Sequence, residues 1–174
     1  STYRDSGLSG SVNLSSVLAG NLINDYSSCF YGCKNISSVS GQLRTSSNGT
    51  SLNYMFDGCS SMSSISNDIG ATNIKTCIYM FSDCSNLQSP CRITFRYVSG
   101  ETINAYGFCD GSGVSSLPSN MFSGTVGELF LGQAFYKCTN LSSISSSAFN
   151  YTTNGGTQCN EMFYGCTSLL NVSG

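Results

Sequence analysis

The chain has 174 residues, with nine acidic and seven basic side chains, a net charge of −2 and no histidine. Seven basic residues over this length cannot neutralise many phosphates, so we do not expect nucleic acid as a partner. The commonest general base and Cys-x-x-Cys pairs are both absent, so we expect no enzyme activity, no cofactor and no metal site. No apolar run reaches the roughly 18 residues that span a bilayer.

In chain order, the first clear signal is a short pattern around a phenylalanine that returns every 25 to 28 residues. We number the positions of each repeat from this residue, which is Phe30, Phe56, Phe81, Phe108, Phe135 and Phe163. A cysteine stands at +3 in five of the six repeats, at Cys33, Cys59, Cys84, Cys138 and Cys166. A fixed period of this size predicts a stacked repeat, or solenoid.

Within a repeat, the apolar or small residues stand at −4, −1, 0 and +3, as in Leu131, Ala134, Phe135 and Cys138. This spacing is that of one helix face and predicts a short helix of about two turns. An aliphatic residue between two serines follows and predicts a short strand with one side chain inward. Neither element buries enough surface alone, so we expect the phenylalanines of successive coils to stack in one buried column.

Two stretches carry a resemblance to a known family: AFYKCTNLSSI at residues 134–144 and MFYGCTSL at residues 162–169. They resemble the BspA-like leucine-rich repeats, whose unit has the form A/M-F-x-x-C-x-x-L-x-x-I. The resemblance implies a curved solenoid of short parallel strands on surface-exposed or secreted proteins, with roles in adhesion and protein binding. Two repeats depart from the unit, with Pro90 in place of the isoleucine, Cys109 directly after Phe108, and Gly111 at the cysteine position.

The predicted fold is an α/β solenoid, a leucine-rich-repeat-like right-handed stack of about six to seven coils with short parallel strands and short helical turns. One domain spans residues 1–174, with a half coil at 1–20, coils centred on the six phenylalanines and an irregular insertion at about 90–104. The ten cysteines allow a disulfide framework or buried thiols. Because five of them hold one repeat position, we expect mostly reduced, buried thiols, while bridges between coils stay open.

Over residues 93–98, apolar and aromatic side chains at 93, 95 and 97 alternate with the side chains between them, which predicts the longest strand of the chain. Two of the seven basic residues lie in this stretch or directly before it. Arg92 and Arg96 are candidates for binding a partner's carboxylates, because irregular insertions often lie on the binding face of a solenoid. The alternative is an extended connector whose arginines are only solvated.

Each repeat also has one tyrosine at −2 or +1, off the core-facing stripe: Tyr31, Tyr54, Tyr79, Tyr106, Tyr136 and Tyr164. Stacked, they would form an aromatic seam that binds a sugar or a protein. The alternative is that the rings half-bury between coils and shield the edge of the core.

Serines flank the inward residue of the predicted short strands: Ser38, Ser40, Ser64, Ser66, Ser143 and Ser145. They would line an exposed sheet face as a ladder of hydroxyl groups on which a partner could lie. The alternative is a face that needs only solubility and close spacing of coils.

Two functions fit these features. The first is an extracellular or cell-surface recognition and adhesion module that binds a protein or glycan on another surface. The second is a structural part of an assembly, such as a virion fibre, a head decoration or a surface layer, with self-association through the solenoid ends. The sequence starts and stops at the same phase of the repeat without a polar capping repeat, which fits both functions, and of the two we favour the recognition module.

Overall fold

The computed structural model describes residues 3–18, 22–96 and 101–170 of the chain. The remaining residues of the predicted half coil and insertion, 1–2, 19–20 and 97–100, lie outside the described residues. The described elements are β1 (Ser9–Asn13), α1 (Leu14–Val17), β2 (Asn35–Ser40), β3 (Thr50–Ser51), β4 (Ser64–Ile65), β5 (Ile74–Thr76), β6 (Ile93–Thr94), β7 (Thr102–Asn104), β8 (Ser116–Leu117), β9 (Phe122–Phe130), β10 (Ser143–Ile144) and β11 (Phe149–Gln158).

The strands form a parallel β-solenoid of about five turns. All strand pairs in the described ranges are parallel, and each strand pairs with an equivalent strand of a neighbouring coil. One sheet has the order β11-β9-β7-β5-β3, with β6 also paired to β9; β1-β2-β4 and β10-β8 form two smaller sheets. The predicted stack of short parallel strands is confirmed, whereas six to seven coils are more than the structure shows.

The predicted two-turn helices do not form. In the described residues the one helix is α1, which is four residues long and lies outside the phenylalanine segments. These segments are chains of turns in which the backbone enters the left-handed region at −2, as in Tyr54 with φ 55°, and again at +2, as in Gly58 with φ 72°. Two such residues four positions apart are incompatible with a right-handed helix.

Hydrogen bonds between coils explain this conformation. The N–H groups at −2, 0 and +2 donate to the next coil; Phe56 N lies 2.9 Å from the carbonyl oxygen of Met80, and Gly58 N lies 2.9 Å from that of Ser82. The amides between them close tight turns within their own coil, such as Cys59 N to Phe56 O at 3.0 Å. Bonding to a neighbouring coil thus replaces the internal bonds of a helix, which would be marginal at two turns.

The residues expected to be buried are nevertheless the buried ones. Positions −4, −1, 0 and +3 of the second repeat have no exposed surface, at Leu52, Met55, Phe56 and Cys59. The residues that these turn segments bury therefore have the same spacing as the residues on one face of a helix. Periodicity alone does not separate the two conformations.

The aromatic column runs through the centre of the core, as predicted. Phe30, Phe56 and Phe81 have successive ring centroids 5.4 and 5.6 Å apart, with planes parallel to within 4°. Tyr3 extends the column beyond Phe30 at 5.4 Å. At the other end Phe163 stacks at 5.5 Å on the preceding ring and is only half-buried.

The repeat around Phe108 is shifted by one residue. Cys109 N donates to the carbonyl oxygen of Ala134 at 2.7 Å, the bond that the central residue makes in other coils. Cys109 therefore holds position 0, and Ser112 is buried at the place of the +3 cysteine. Because Phe108 enters the column from position −1, its ring meets Phe81 edge-on, at 87° and 5.3 Å.

None of the ten cysteines, all within the described residues, is in a disulfide; nine are buried and Cys159 is exposed, as the prediction of mostly buried thiols expects. Thiols at +3 donate to a carbonyl group of the preceding coil, as in Cys59 Sγ to Phe30 O at 3.2 Å and Cys84 Sγ to Phe56 O at 3.1 Å. Burial, with a smaller effect of Cys33, raises the pKa of the Cys59 thiol to about 12. Because the thiolate is the reactive form of cysteine, this raised pKa makes the Cys59 thiol a poor nucleophile.

Residues 90–96 connect the sheets. Pro90 is buried where other repeats have the inward strand residue, and since proline has no N–H, the β1-β2-β4 and β10-β8 sheets remain separate. The predicted long strand is β6, of two residues, although Ile93 and Phe95 are buried on either side of exposed Thr94, as the alternation indicated. Ile93 N donates to Met121 O at 2.6 Å, so this part of the predicted insertion is a layer of the stack.

Candidate functional site

Three of the six predicted tyrosines form one stack on the outside of the turn segments. The ring centroids of Tyr54 and Tyr79 are 5.7 Å apart, with planes at 21°, and Tyr106 follows edge-on at 5.6 Å. Tyr54 is 38% exposed, and the other two rings are half-buried. We call these three residues the tyrosine face.

Glycines of the next coil determine where the rings lie. A Cβ at Gly107 would come within 2.3 Å of a ring carbon of Tyr79, and one at Gly132 would lie 3.1 Å from Tyr106. The Tyr79 ring therefore packs directly against the backbone of Gly107, a position where any larger residue would place its Cβ in the ring. Because each ring rests on the following coil, the stack is held in place by the solenoid.

A row of polar side chains continues the tyrosine face. The Tyr106 hydroxyl donates to Oε1 of Gln133, and Nε2 of Gln133 donates to Oε2 of Glu161 at 2.7 Å. The aromatic rings are thus followed by hydrogen-bonding side chains of the next two coils. Gln133 and Glu161 were not predicted as site residues, although both stand at −2, the position that Tyr54 and Tyr79 occupy.

Three aspartates of successive coils lie beside the tyrosine face. Burial, and then the nearby carboxylates of Asp83 and Asp110, raise the pKa of Asp57 to about 6. The pKa of Asp110 is also raised, by burial and then by Asp83, while Lys137 lowers it. In the sequence, these aspartates recur at +1 or +2 of successive repeats. Aspartate is also common in turns, so this recurrence alone did not indicate a site. Because the coils stack, the three carboxylates lie near one another and form a patch of negative charge.

Asp57→Asn should change how stability depends on pH. The folded pKa of about 6 exceeds the unfolded value near 3.8, so between these values the folded chain binds more protons and its stability falls as pH rises. We therefore expect the variant to have a higher Tm than the original at pH 7 and an equal Tm below about pH 4. Thermal unfolding by circular dichroism measures this.

Asp68→Asn is the matched control, because it removes one charge at an exposed position outside the patch. The same pH-dependent gain in Asp68→Asn, or none in Asp57→Asn, would contradict the raised pKa of Asp57 in the aspartate patch.

The other three predicted tyrosines do not join the tyrosine face. Tyr136 and Tyr164 stack on each other at 5.2 Å, and Tyr164 is 61% exposed. The Arg4 guanidinium carbon lies 4.3 Å from the centroid of the Tyr31 ring. One continuous seam of six rings is therefore absent, because −2 and +1 are separate lines along the stack. Partner binding by any of these rings stays a prediction.

The six predicted serines lie on two separate sheets. Ser38 and Ser64 face each other across the β2–β4 pair, and Ser38 Oγ donates to Ser11 Oγ at 2.8 Å. Ser143 pairs with Ser116 in the other small sheet, and Ser145 Oγ lies 2.8 Å from Ser119 Oγ. Ser40 is exposed and Ser66 half-buried, each at the end of its strand segment. The hydroxyl ladder is thus divided where Pro90 interrupts the sheet.

The two predicted arginines point to different surroundings. Arg92 is exposed, and its Nε donates to the carbonyl oxygen of Ser119 at 3.0 Å. Arg96 is half-buried, and its Nη1 donates to the carbonyl oxygen of Asn48 at 3.2 Å. The two arginines do not form one cationic site, and each donates a hydrogen bond to a backbone carbonyl group of another coil.

Within residues 3–18, 22–96 and 101–170, no helix has the length and apolarity to cross a membrane. Comparison with curated proteins found no match, and neither did comparison with solved structures. A family model, DUF285, described as a Mycoplasma protein of unknown function, matches residues 14–105, just over half of the chain. These residues include the first three phenylalanine repeats and the first two rings of the tyrosine face. The chain therefore belongs to the DUF285 family.

Proposed function

We propose that the protein is a non-enzymatic recognition or adhesion module, extracellular or on a cell surface, whose coils are of the BspA-like leucine-rich type. The observation that carries this proposal is the tyrosine face, a fixed aromatic stack beside three aspartates. Aromatic rings with polar tips are enriched where proteins bind one another. The stack needs no rearrangement before binding, because the coils already order its rings.

The charge of this region favours a partner with basic side chains. Asp57, Asp83 and Asp110 concentrate negative charge, and the chain as a whole carries −2. The position equivalent to Tyr54 in the preceding coil is Ser28, a small residue, and among the described residues Tyr79 is the aromatic neighbour of the Tyr54 ring. A lysine or arginine could lie over this ring and pair with the carboxylates.

Tyr54→Ala should weaken binding of a basic peptide with little change in Tm, because the ring is 38% exposed. An octalysine peptide, followed by NMR titration at low salt, is a suitable probe, with octaglutamate as the negative control. Loss of a cation–π contact of about 0.5–1 kcal/mol predicts about two- to fivefold weaker binding.

Tyr164→Ala is the matched control, since Tyr164 is also exposed and stacked but belongs to a different pair. Its binding should equal that of the original chain. Equal weakening in both variants, or no binding of octalysine, would contradict the assignment of the tyrosine face to a basic partner.

The alternative function is a structural part of an assembly, such as a virion fibre, a head decoration or a surface layer. It is favoured by the last described coil, in which Tyr164 is 61% and Leu170 is 85% exposed. Light scattering over a range of concentrations separates the two functions. Oligomers that Leu170→Ser dissociates would support the structural role, and a monomer with Tyr54-dependent binding would support recognition.

A further inference from the structure

A polar pocket of about 390 Å³ lies around Arg92, away from the tyrosine face. Side chains from four successive coils line it, among them Asp68, Arg92, Thr94, Asn120 and Asn150. Its size is within the range of small-molecule sites, but its lining is far more polar than is usual for them. The lining residues fall in four groups, 68–72, 92–94, 120–123 and 150, about one repeat apart in sequence, so only the stacking of coils brings these groups together.

Backbone contacts hold the two charged groups of this pocket in place. Arg92 Nε donates to Ser119 O at 3.0 Å, which leaves the two terminal nitrogens of the guanidinium to donate to a ligand. Asp68 Oδ1 accepts the N–H of Gly70 at 2.8 Å, which leaves its other oxygen as an acceptor. One positive and one negative group make the lining neutral as a whole.

The neutral side chains are ordered in the same way. Asn150 Nδ2 donates to Asn120 Oδ1 at 2.8 Å, so an amide donor of Asn120 and the carbonyl oxygen of Asn150 remain for a ligand. The hydroxyl groups of Thr94 and Ser123 lie 3.2 Å apart across neighbouring coils. In coil order the groups left for a ligand are therefore an acceptor, two donors and an acceptor, on Asp68, Arg92, Asn120 and Asn150.

We propose that this pocket binds a neutral saccharide. Every sugar hydroxyl both donates and accepts, so several of them on one ring can satisfy a lining that offers fixed donors and fixed acceptors side by side. Arg92 and Asp68 balance each other, and the chain carries a net −2, which disfavours an anionic sugar. Buried Ala71 offers a small apolar contact for the C–H face of the ring. This proposal rests on the proposed recognition function and adds neutral sugars as a class of ligand. The pocket contains none of the tyrosine-face residues.

Saturation-transfer NMR with the whole chain tests this site. The probes are three neutral glycosides, methyl β-D-galactopyranoside, methyl α-D-mannopyranoside and methyl N-acetyl-β-D-glucosaminide, with methyl β-D-glucuronide as the anionic match. We expect at least one neutral glycoside to bind with Kd in the millimolar range and to shift the side-chain amide signals of Asn120 and Asn150. The glucuronide should bind more weakly.

Two variants localise the binding. Asn120→Ala and Arg92→Gln should each weaken it by about three- to tenfold, as loss of one or two hydrogen bonds implies. Both residues are exposed, so Arg92→Gln should leave thermal unfolding nearly unchanged. Asn120→Ala should lower Tm modestly, because Asn120 has φ 53°, a left-handed conformation that costs alanine about 1–2 kcal/mol. Arg96→Gln makes the same charge change outside the pocket and should leave binding unchanged.

Three outcomes would overturn the proposal. They are the absence of saturation transfer from all three neutral glycosides, undiminished binding in both Asn120→Ala and Arg92→Gln, and tighter binding of the glucuronide than of the neutral probes. Loss of sugar binding with octalysine binding intact would reject this pocket alone and leave the tyrosine face standing.

Discussion

Phe56→Ala is expected to lower the free energy of unfolding by about 3–5 kcal/mol, the range for phenylalanine truncation in protein cores. The Phe56 side chain has no exposed surface, and rings stack on both of its faces at 5.4 and 5.6 Å. Its removal leaves a cavity within the column and removes both ring contacts. Because domains are stable by only about 5–15 kcal/mol, this loss should be evident in urea unfolding followed by circular dichroism.

Phe163→Ala is the matched control within the same column. Phe163 is half-buried and stacks on only one repeat phenylalanine, Phe135. Its truncation should lower stability by less than half as much as Phe56→Ala, because less apolar surface loses its cover. Equal losses at the two positions, or a loss below about 1 kcal/mol at Phe56, would contradict a continuous buried column.

Gly113→Ala should have the second large effect, a loss of about 3 kcal/mol or more, at the upper end for overpacking. An added Cβ would lie 2.0 Å from the carbonyl oxygen of Ser85 and 2.7 Å from its carbon. These are backbone atoms of the preceding coil, and Gly113 N itself donates to Cys84 O at 3.1 Å. The methyl group can therefore be accommodated only by separating two coils.

Gly156→Ala is the comparison for this glycine, since a Cβ there would meet nothing within 4 Å. An alanine in strand β11 should be neutral or stabilising by up to about 1 kcal/mol. Both variants are compared by urea unfolding. Similar stability of Gly113→Ala and Gly156→Ala would show that the coils are not in the close contact described here.

The column and its buried positions could be predicted from the sequence, because burial by stacking imposes the same apolar residues on every coil. The backbone of the turn segments could not. The residues of the second repeat that are buried, such as Leu52 and Phe56, have the spacing of a helix face, and only bonds to the next coil select the turns. Strands β9 and β11 were also missed, since most of β11 after Tyr151 is polar or glycine and pairs with β9 along the stack.

The site was predicted in part, as single residues. The sequence singled out Tyr54, Tyr79 and Tyr106, but it could not show that they stack apart from the other three tyrosines. That grouping depends on backbone geometry, in particular on Gly107, which leaves room for the Tyr79 ring. The shift at Cys109 had a sequence signal, a glycine one position later than in other repeats, whose meaning becomes clear only with the hydrogen bonds.

The most direct test of this account is the scalar coupling across the hydrogen bond of the Phe56 amide, measured by NMR on isotope-labelled protein. The structure places Phe56 N 2.9 Å from the carbonyl oxygen of Met80, in the following coil. A coupling between Phe56 15N and the Met80 carbonyl 13C is the predicted result. A coupling to the carbonyl of Leu52, four residues earlier in the same segment, would mean that the segment is a helix and would contradict the stacked turns.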